Sequence, residues 1–472
     1  MVSHVGNLRK LLGKDKVVDE ESIIRLYSRE PSGYSSRSLP QALILAENVH
    51  DVSKLLSYAY RRDLKIYPQG STTSLTGSAV PLDDGVILSL ERMNRIKRIS
   101  VVDSLALVEA GVRIDELNLE LAGMGYQFPV DPASSAVATV GGAVNSGAGG
   151  MRGAKYGTMR DWVLGLRVVL PDEEGSVLWL GCTTLKCRQG YDLARLIVGS
   201  EGTLAVTVEA ALRVTPLPER VVTVLAFFPR LEDLAGAAVE VKERGLQPYI
   251  MEFMDDYTTE AAVGFVKPGF KAGGNMLLVS MDVNREAADR IAGMLRGIVE
   301  SHGAGLVYTA MSMREAEEKG LFSIRRSLFA TQNYLARVKM GIRNPMIYIE
   351  DIAVPPSRLV EAVREIRMLE ERYGLPTFMG GHISDGNLHP AVGFDPSDKE
   401  TASRVEEWFY DIVRIAIKLG GTVSSEHGIG LMKKEALKME LEAHGSLKAL
   451  SLMRKIKRVF DPKGILNPGK IV

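Results

Sequence analysis

The chain has 472 residues, more than one compact hydrophobic core usually serves, so two or more domains are expected. The chain has 58 basic residues (lysine and arginine) and 58 acidic residues (aspartate and glutamate). The resulting formal charge of zero argues against a nucleic-acid partner held mainly by phosphate contacts. Cys182 and Cys187 are too few for a four-thiolate iron–sulfur cluster or a disulfide framework, and we interpret both as small buried residues or bystanders.

The sequence predicts neither a signal peptide nor a membrane span. The first residues, MVSHVGNLRKLLGKDK, lack a continuous apolar core, and the longest apolar run, at residues 221–228, is too short to cross a bilayer. We therefore expect a cytoplasmic protein, with peripheral membrane contact left open.

The first clear secondary structure is a β–α–β unit within residues 39–70. A strand-length apolar run at residues 42–46 precedes apolar residues at helical spacing, with Asp51 placed to cap the helix, and LKIYP returns as a strand. The unit leads into a loop at residues 69–77, QGSTTSLTG. Such a loop can bind a pyrophosphate through backbone N–H groups and hydroxyls without any lysine or arginine, although similar loops are common without a ligand.

A second glycine-dense stretch, TVGGAVNSGAGGMRG, occupies residues 139–153 and precedes strand-like segments. The segments are VLGLRVVLP, SVLWLG and VGSEGTLAVTVEAALRVTPLP, and Pro216 and Pro218 indicate a domain boundary. From residue 221 to about 419, strands alternate with amphipathic helices, which predicts a mixed α+β sheet with helices packed on one face. The tail, SLMRKIKRVFDPKGILNPGKIV, is predicted to be a helix that runs into a Pro/Gly-rich end.

Two strings near the C-terminus contain the residues that point most directly to chemistry. GGHISDGNLHP contains His382 and His389, and GGTVSSEHGIG contains Glu426 and His427. The Ser-Asp-Gly-Asn between the first two histidines is turn-forming, so the chain can fold back and bring both imidazoles to one point. Two histidines and one carboxylate make a metal site with open coordination positions. The alternative is that these are unrelated histidines in turns.

Together these motifs resemble a known group of flavoenzymes. DPASSAVATVGGAVNSGAGGMRGAKYG followed by GYDLARLIVGSEGTLAV resembles the FAD-binding domain of the vanillyl-alcohol oxidase and p-cresol methylhydroxylase superfamily. The two C-terminal strings and FDPKGILNPGK resemble the FAD-linked oxidases that include D-lactate dehydrogenase, D-2-hydroxyglutarate dehydrogenase and the glycolate oxidase FAD subunit.

The resemblance implies an α+β fold with an FAD-binding domain of two α+β subdomains and a substrate-binding cap domain. The cap domain would contain an antiparallel sheet with helices and carry metal ligands. The implied bounds are residues 1–218 for the FAD-binding domain and 219–425 for the cap domain. Residues 426–472 would return to the FAD-binding domain.

The resemblance also implies, position by position, which residues bind FAD. The pyrophosphate would be lined by Gln69, Gly70, Ser71, Thr72, Thr73, Ser74 and Gly77. The flavin side would be lined by Pro132, Thr139, Gly141, Gly142, Ser146 and Ala148, with Glu201, Gly202 and Val206 nearby. Relatives that attach flavin covalently through the first loop carry a histidine there. Residues 69–77 contain none, so we expect FAD to bind without a covalent link.

The catalytic and metal positions follow from the same resemblance. They are His382, His389 and Glu426 for a divalent metal, expected to be zinc, His427 for the catalytic base, and Asn387 and Asn467 facing substrate or flavin. Arg325 matches an arginine that binds the substrate carboxylate, or else is a surface arginine on a helix. Relatives of the D-2-hydroxyglutarate type carry a lysine where this chain has Ile349, so a monocarboxylate is favoured.

The expected activity is FAD-dependent oxidation of a small 2-hydroxy acid, D-lactate or glycolate, to the 2-oxo acid. A metal chelated by the carboxylate and hydroxyl would lower the pKa of the hydroxyl, a histidine would take the proton, and hydride would pass to the flavin. Electrons would leave to an external acceptor: a quinone, a cytochrome, an electron-transfer flavoprotein, a separate iron–sulfur subunit or oxygen. An oligomer is left open.

Two other functions compete with this one. The first is a non-redox transferase resembling alkyl-dihydroxyacetone-phosphate synthase, which would need a basic phosphate-binding cluster and more histidines beside the flavin. The second is a flavin-binding module without catalysis, which would leave the two metal-type strings unexplained.

Overall fold

The computed structural model describes residues 3–36 and 38–472, and the chain divides into two compact units. Unit 1 comprises Met1–Gly149, Gly157–Leu217 and Glu426–Val472, and unit 2 comprises Gly150–Tyr156 and Pro218–Ser425.

Strands occur in both units. In chain order they are β1 (Val17–Val18), β2 (Ala42–Leu45), β3 (Ile66–Gln69), β4 (Val86–Ser89), β5 (Ile96–Ser100), β6 (Leu105–Glu109), β7 (Tyr126–Gln127), β8 (Val163–Val169), β9 (Val177–Gly181), β10 (Val206–Arg213), β11 (Thr215–Pro216), β12 (Arg220–Phe228), β13 (Ile250–Met254), β14 (Asn275–Val283), β15 (Leu306–Ala310), β16 (Met346–Ile349), β17 (Ile352–Ala353), β18 (Thr377–Phe378), β19 (Gly380–Gly381), β20 (Asn387–Leu388) and β21 (Ala391–Phe394).

Both units also contain α-helices. In chain order they are α1 (Val5–Leu12), α2 (Glu21–Leu26), α3 (Val49–Arg62), α4 (Ile114–Ala122), α5 (Val140–Ser146), α6 (Gly153–Tyr156), α7 (Met159–Trp162), α8 (Leu193–Ile197), α9 (Leu231–Glu243), α10 (Asp256–Val266), α11 (Ala288–Ser301), α12 (Met313–Glu318), α13 (Ser323–Arg326), α14 (Leu328–Tyr334), α15 (Leu359–Tyr373), α16 (Lys399–Lys418), α17 (Lys434–Ala443) and α18 (Lys448–Phe460).

The described residues of unit 1 form the two-stranded sheet β7-β11 and two larger sheets. In the first, of order β1-β2-β4-β3, both β2 and β3 pair in parallel with β4, as a β–α–β unit requires. The second, of order β5-β6-β10-β8-β9, is antiparallel. The C-terminal tail joins the first sheet, because Leu466 forms a parallel bridge with Ile66.

Helix α3 begins differently from the prediction, since Asn48 rather than Asp51 is its N-cap. The Asn48 side chain accepts hydrogen bonds from the backbone N–H groups of His50 and Asp51 at 3.0 and 3.1 Å. The Asp51 carboxylate lies inside the first turn and accepts from Lys16 Nζ at 2.8 Å.

The second glycine-dense stretch is not one continuous loop. Helix α5 occupies its first half, with Thr139 as N-cap accepting from Gly142 N at 3.2 Å. The helix ends at Gly147, whose φ of +69° suits a residue without a Cβ. The rest of the stretch, from Gly150, belongs to unit 2.

Unit 2 is built on an antiparallel sheet of order β15-β12-β14-β13-β19, with α9 and α11 packed on β12 and β14. Strands β12 and β14 pair along their whole length, from Arg220↔Val283 to Phe228↔Asn275. A smaller antiparallel sheet, β16-β21-β18, and the pair β17-β20 complete the unit. The predicted α+β class is confirmed.

The two cysteines are not bystanders, because Cys182 and Cys187 form a disulfide with their Cα atoms 5.9 Å apart. It closes a short loop directly after β9. Among the residues that the structure describes, no helix is long and apolar enough to cross a bilayer.

Candidate active site

Unit 1 contains a cavity of about 260 Å³ where its glycine-containing loops meet. The predicted FAD-binding residues that line it are Gln69, Gly70, Ser71, Thr72, Thr73, Ser74, Pro132, Thr139, Gly141, Gly142, Ser146, Ala148, Glu201, Gly202 and Val206. Glu426 and His427, at the start of the returning C-terminal segment, line the same cavity.

The lining fits an FAD pyrophosphate held without cations. None of the described residues that line the cavity is a lysine or an arginine. A Cβ added at Gly70 would lie 2.2 Å from Thr139 Oγ1, so the first loop approaches the second at a distance that only glycine allows. Within the described part of the chain, the buried Gln69 Oε1 and Thr207 Oγ1, both from lining residues, have no hydrogen-bond partner.

Gln69 and Gly77 hold the first loop, residues 69–77, in place through hydrogen bonds within the protein. Gln69 Nε2 donates to the carbonyl oxygens of Tyr27 and Ala79, both at 2.8 Å, so its amide nitrogen braces the loop instead of pointing to a ligand. Gly77 lies outside the lining residues, and its N–H donates to the buried carboxylate of Glu30.

Glu201 holds the segment that follows His427. Its carboxylate accepts hydrogen bonds from Ile429 N at 2.7 Å and from Gly430 N at 2.9 and 3.0 Å. Burial raises the pKa of Glu201 to about 7, although these N–H groups and the Lys470 ammonium act in the opposite direction. On the side of the first loop, the Thr76 hydroxyl donates to the His427 carbonyl oxygen at 3.3 Å.

Asn467 was expected to face substrate or flavin, but it lies outside the residues that line the cavity. Its Nδ2 donates to the carbonyl oxygens of Ser78 and Glu201 at 3.0 and 2.6 Å. In this position Asn467 ties the C-terminal tail to two of the loops that form the cavity.

In unit 2, the string at residues 380–390 folds back and brings two imidazoles together. The ring centroids of His382 and His389 are 5.3 Å apart with the planes at 89°. His389 N donates to Gly380 O at 2.7 Å, which closes the turn. Gly386, at φ +87°, permits this turn because a Cβ there would lie 1.8 Å from Val354 O.

In both His382 and His389, the ring atom Nδ1 forms a hydrogen bond with an oxygen atom of the protein. His382 Nδ1 lies 2.7 Å from Glu252 Oε1, and His389 Nδ1 lies 3.1 Å from the Glu350 carbonyl oxygen. A carbonyl and a carboxylate oxygen only accept, so each Nδ1 is the hydrogen-bond donor, and in a neutral imidazole the lone pair is then on Nε2. This is the arrangement in which histidines bind metals through Nε2.

Asp351 organises the other side of this cluster. Its carboxylate is fully buried and accepts from Asn387 Nδ2 at 2.9 Å, Ser424 Oγ at 3.1 Å and Ser425 N at 2.9 Å. One of its oxygens lies 3.9 Å from His389 Nδ1. Asn387, expected to face substrate or flavin, therefore uses its amide nitrogen within unit 2.

Arg325 is not a surface arginine, because only 9% of it is exposed. Its Nε and Nη2 atoms both lie 2.7 Å from Glu252 Oε2. Glu252, itself 0% exposed, therefore contacts Arg325 with one oxygen and His382 with the other.

The motifs of the sequence did not identify Glu252, Asp351 or Glu30. Glu252 and Asp351 are acidic residues in otherwise apolar segments, YIMEFM and IYIEDIAVP. A buried carboxylate needs a partner, so an acidic residue in an otherwise apolar segment is the available signal. Nothing in the sequence indicated which distant residue each would contact.

Comparison with known proteins identifies the family. Residues 40–181 match the FAD binding domain, and residues 217–471 match the FAD linked oxidases, C-terminal domain. The glycolate oxidase subunit GlcD of Bacillus subtilis is 35% identical over 436 residues, which cover 92% of this chain and 89% of that protein. The D-lactate dehydrogenase of Archaeoglobus fulgidus is 36% identical over 440 residues, or 91% of each protein.

Solved structures share the fold at low sequence identity. p-Cresol methylhydroxylase with substrate bound superposes with a TM-score of 0.77 at 19% identity, covering 99% of this chain and 96% of that chain. Alkyldihydroxyacetonephosphate synthase gives 0.74 at 18% identity, covering 99% and 86%. The chain therefore belongs to the FAD-linked oxidases and has the fold of the vanillyl-alcohol oxidase and p-cresol methylhydroxylase superfamily, which confirms the resemblance inferred from its motifs.

Proposed function

We propose that this FAD-linked oxidoreductase oxidises a small 2-hydroxy acid, D-lactate or glycolate, to the 2-oxo acid and passes the electrons to an external acceptor. The support comes from relatives named as a glycolate oxidase subunit and as D-lactate dehydrogenases. The observation that carries the proposal is the pair of buried histidines in unit 2, each with Nδ1 committed to an acceptor.

The proposed metal ligands are His382, His389 and Glu426. Two imidazole Nε2 atoms and one carboxylate suit zinc or a related divalent ion and leave positions for the substrate hydroxyl and carboxylate. Chain continuity supports Glu426, because its neighbour Ser425 donates to Asp351, whose carboxylate lies 3.9 Å from His389. A bound divalent metal would supply Lewis-acid polarisation of the hydroxyl.

The remaining roles belong to side chains of the two units. His427, which lines the cavity of unit 1, would accept the hydroxyl proton. Arg325, held by Glu252 through Nε and Nη2, would orient the substrate carboxylate with the rest of its guanidinium. Bound FAD would supply the acceptor for the hydride from the α-carbon.

The test is anaerobic mixing of the holoenzyme with D-lactate, L-lactate, glycolate and D-2-hydroxyglutarate while the visible flavin absorbance is followed. We expect bleaching with D-lactate or glycolate and little with D-2-hydroxyglutarate, because Ile349 stands where relatives of that type carry a lysine. A flavin that stays oxidised with every 2-hydroxy acid would contradict the proposal. It would favour a non-redox transferase like the alkyldihydroxyacetonephosphate synthases that share the fold.

A further inference from the structure

We propose that Glu252 is a positioning residue that orients His382 and Arg325 as one unit. This inference rests on the proposed function, in which His382 binds a metal and Arg325 meets the substrate carboxylate. It assigns a role to a residue in a different part of the chain, 130 positions before His382 and 73 before Arg325.

Strand register places Glu252 beside His382. β13 pairs antiparallel with β19, with Phe253 opposite Gly381 and Met254 opposite Gly380. Continuing this register by one residue sets Glu252 opposite His382, the relation in which cross-strand side chains interact. The measured contact, Oε1 to Nδ1 at 2.7 Å, agrees with that geometry.

Burial makes the contact energetically demanding. Glu252 is 0% exposed, and a buried carboxylate is stable only when it is paired and hydrogen-bonded. The Arg325 guanidinium, with Nε and Nη2 each 2.7 Å from Oε2, balances its charge. Because Arg325 already balances the charge, the contact from His382 Nδ1 adds a hydrogen bond to the second carboxylate oxygen.

The consequence is a single tautomer and a single ring orientation for His382. With the proton held on Nδ1, the lone pair stays on Nε2, the atom that would bind metal. The Glu252 carboxylate also restrains the guanidinium of Arg325. One residue therefore orients both the arginine proposed to bind the substrate and a histidine proposed to bind the metal. Outer-shell carboxylates of this kind typically contribute about 10- to 100-fold to metal affinity.

The test compares Glu252→Gln and Glu252→Asp with a matched control, Glu240→Gln. Glu240 forms another Glu–His contact of 2.7 Å in unit 2, between helix α9 and His302 Nε2 at the end of helix α11. Each purified holoenzyme is titrated with a zinc chelator, and metal and FAD are quantified together with the thermal unfolding midpoint. We expect Glu252→Gln to weaken metal retention about 10- to 100-fold while keeping FAD, with Glu240→Gln equal to wild type and Glu252→Asp intermediate.

A second measurement keeps the result interpretable. Long-range ¹⁵N spectra of labelled histidine report the tautomer of His382, which we expect to be Nδ1–H in wild type and lost or mixed in Glu252→Gln. A folded Glu252→Gln that retains metal like wild type would overturn the role of Glu252 and leave the metal site standing. If wild type binds no metal, the metal assignment in the proposed function is overturned. The tautomer then decides for Glu252: a change on substitution supports its positioning role, and no change overturns it.

Discussion

His382 and His389 have a donor arrangement that differs from that of His302, another histidine of unit 2. Both are more than nine-tenths buried, and both commit Nδ1 to a protein oxygen. His302, in contrast, is half-buried and contacts Glu240 through Nε2. Burial with Nδ1 bound to a protein oxygen is the usual arrangement of a histidine that binds metal through Nε2, and it distinguishes these two from His302.

We predict that His382→Ala or His389→Ala removes metal and activity together. Each substitution deletes one Nε2 donor, whereas the FAD cavity lies in unit 1 and keeps its lining. Elemental analysis of the purified variants measures the metal, the flavin spectrum measures the bound FAD, and bleaching of that spectrum by substrate measures the activity. His302→Ala serves as the control. Wild-type metal content in either variant would remove that histidine from the ligand set.

His427 is predicted to act as a base and not as a ligand. His427→Asn should slow flavin reduction by substrate about 10²- to 10⁴-fold, the usual cost of losing a general base, while leaving metal and FAD in place. Stopped-flow absorbance under anaerobic conditions measures the rate, and Glu426→Gln is the comparison that should lose metal. Parallel loss of metal in His427→Asn would reassign this imidazole as a ligand.

Among the structural elements, the loops that line the cavity of unit 1 are held in place by buried carboxylates. Glu30 accepts from the N–H groups of Gly77 and Ala79 on the first loop, and Glu201 accepts from Ile429 and Gly430 after His427. Burial raises the pKa of both acids. Lys470 is the nearby cation, and burial lowers its pKa to about 8.

We predict that Glu201→Gln changes the pH dependence of stability. The pKa of Glu201 is about 7 in the folded protein against 4.5 for the ordinary group, so the folded state binds more protons between these values. Stability should therefore decrease as pH rises through this window, and Glu201→Gln should lose that part of the slope. Thermal unfolding midpoints recorded between pH 4.5 and 7 measure this slope. Substitution of an exposed glutamate, Glu435→Gln, is the control. An unchanged slope in Glu201→Gln would place the titrating group elsewhere.

At the scale of the whole molecule, the chain leaves the FAD-binding unit twice. It enters unit 2 for Gly150–Tyr156 and again for Pro218–Ser425, and it returns at Glu426. The short first excursion is anchored in unit 2, where the Tyr156 hydroxyl donates to Asp282 at 2.8 Å. Glu426 and His427 therefore belong to the FAD-binding unit, although their string begins in unit 2.

We predict that denaturation releases FAD intact. Residues 69–77, the loop through which some relatives attach flavin, contain no histidine, so no imidazole there can form the covalent bond. After heat or acid precipitation, the flavin should appear in the supernatant, where chromatography identifies it as FAD. Flavin that remains on the precipitated polypeptide would show a covalent link at another residue.

The family, the α+β class and the segments around the cavity could be predicted before the structure, because each depends on contiguous motifs or local periodicity. The loop 69–77, the turn between His382 and His389, and the β–α–β unit within residues 39–70 all lie where their local patterns predict them. Helix boundaries were less accurate: Asn48 replaces Asp51 as a cap, and α5 occupies the first half of the second glycine-dense stretch, where no helix was predicted.

The residues that support the site could not be predicted in this way, because their contacts join segments that are far apart in the chain. Glu201 meets Gly430 across 229 positions and Glu252 meets His382 across 130, and no local pattern specifies contacts at such separations. The disulfide between Cys182 and Cys187 is local in the chain, but it still depends on the loop after β9 bringing the two Cα atoms to 5.9 Å. A sequence motif consists of residues that are neighbours in the chain. The partner of a buried charge, in contrast, depends on which distant strand or loop the fold places against it.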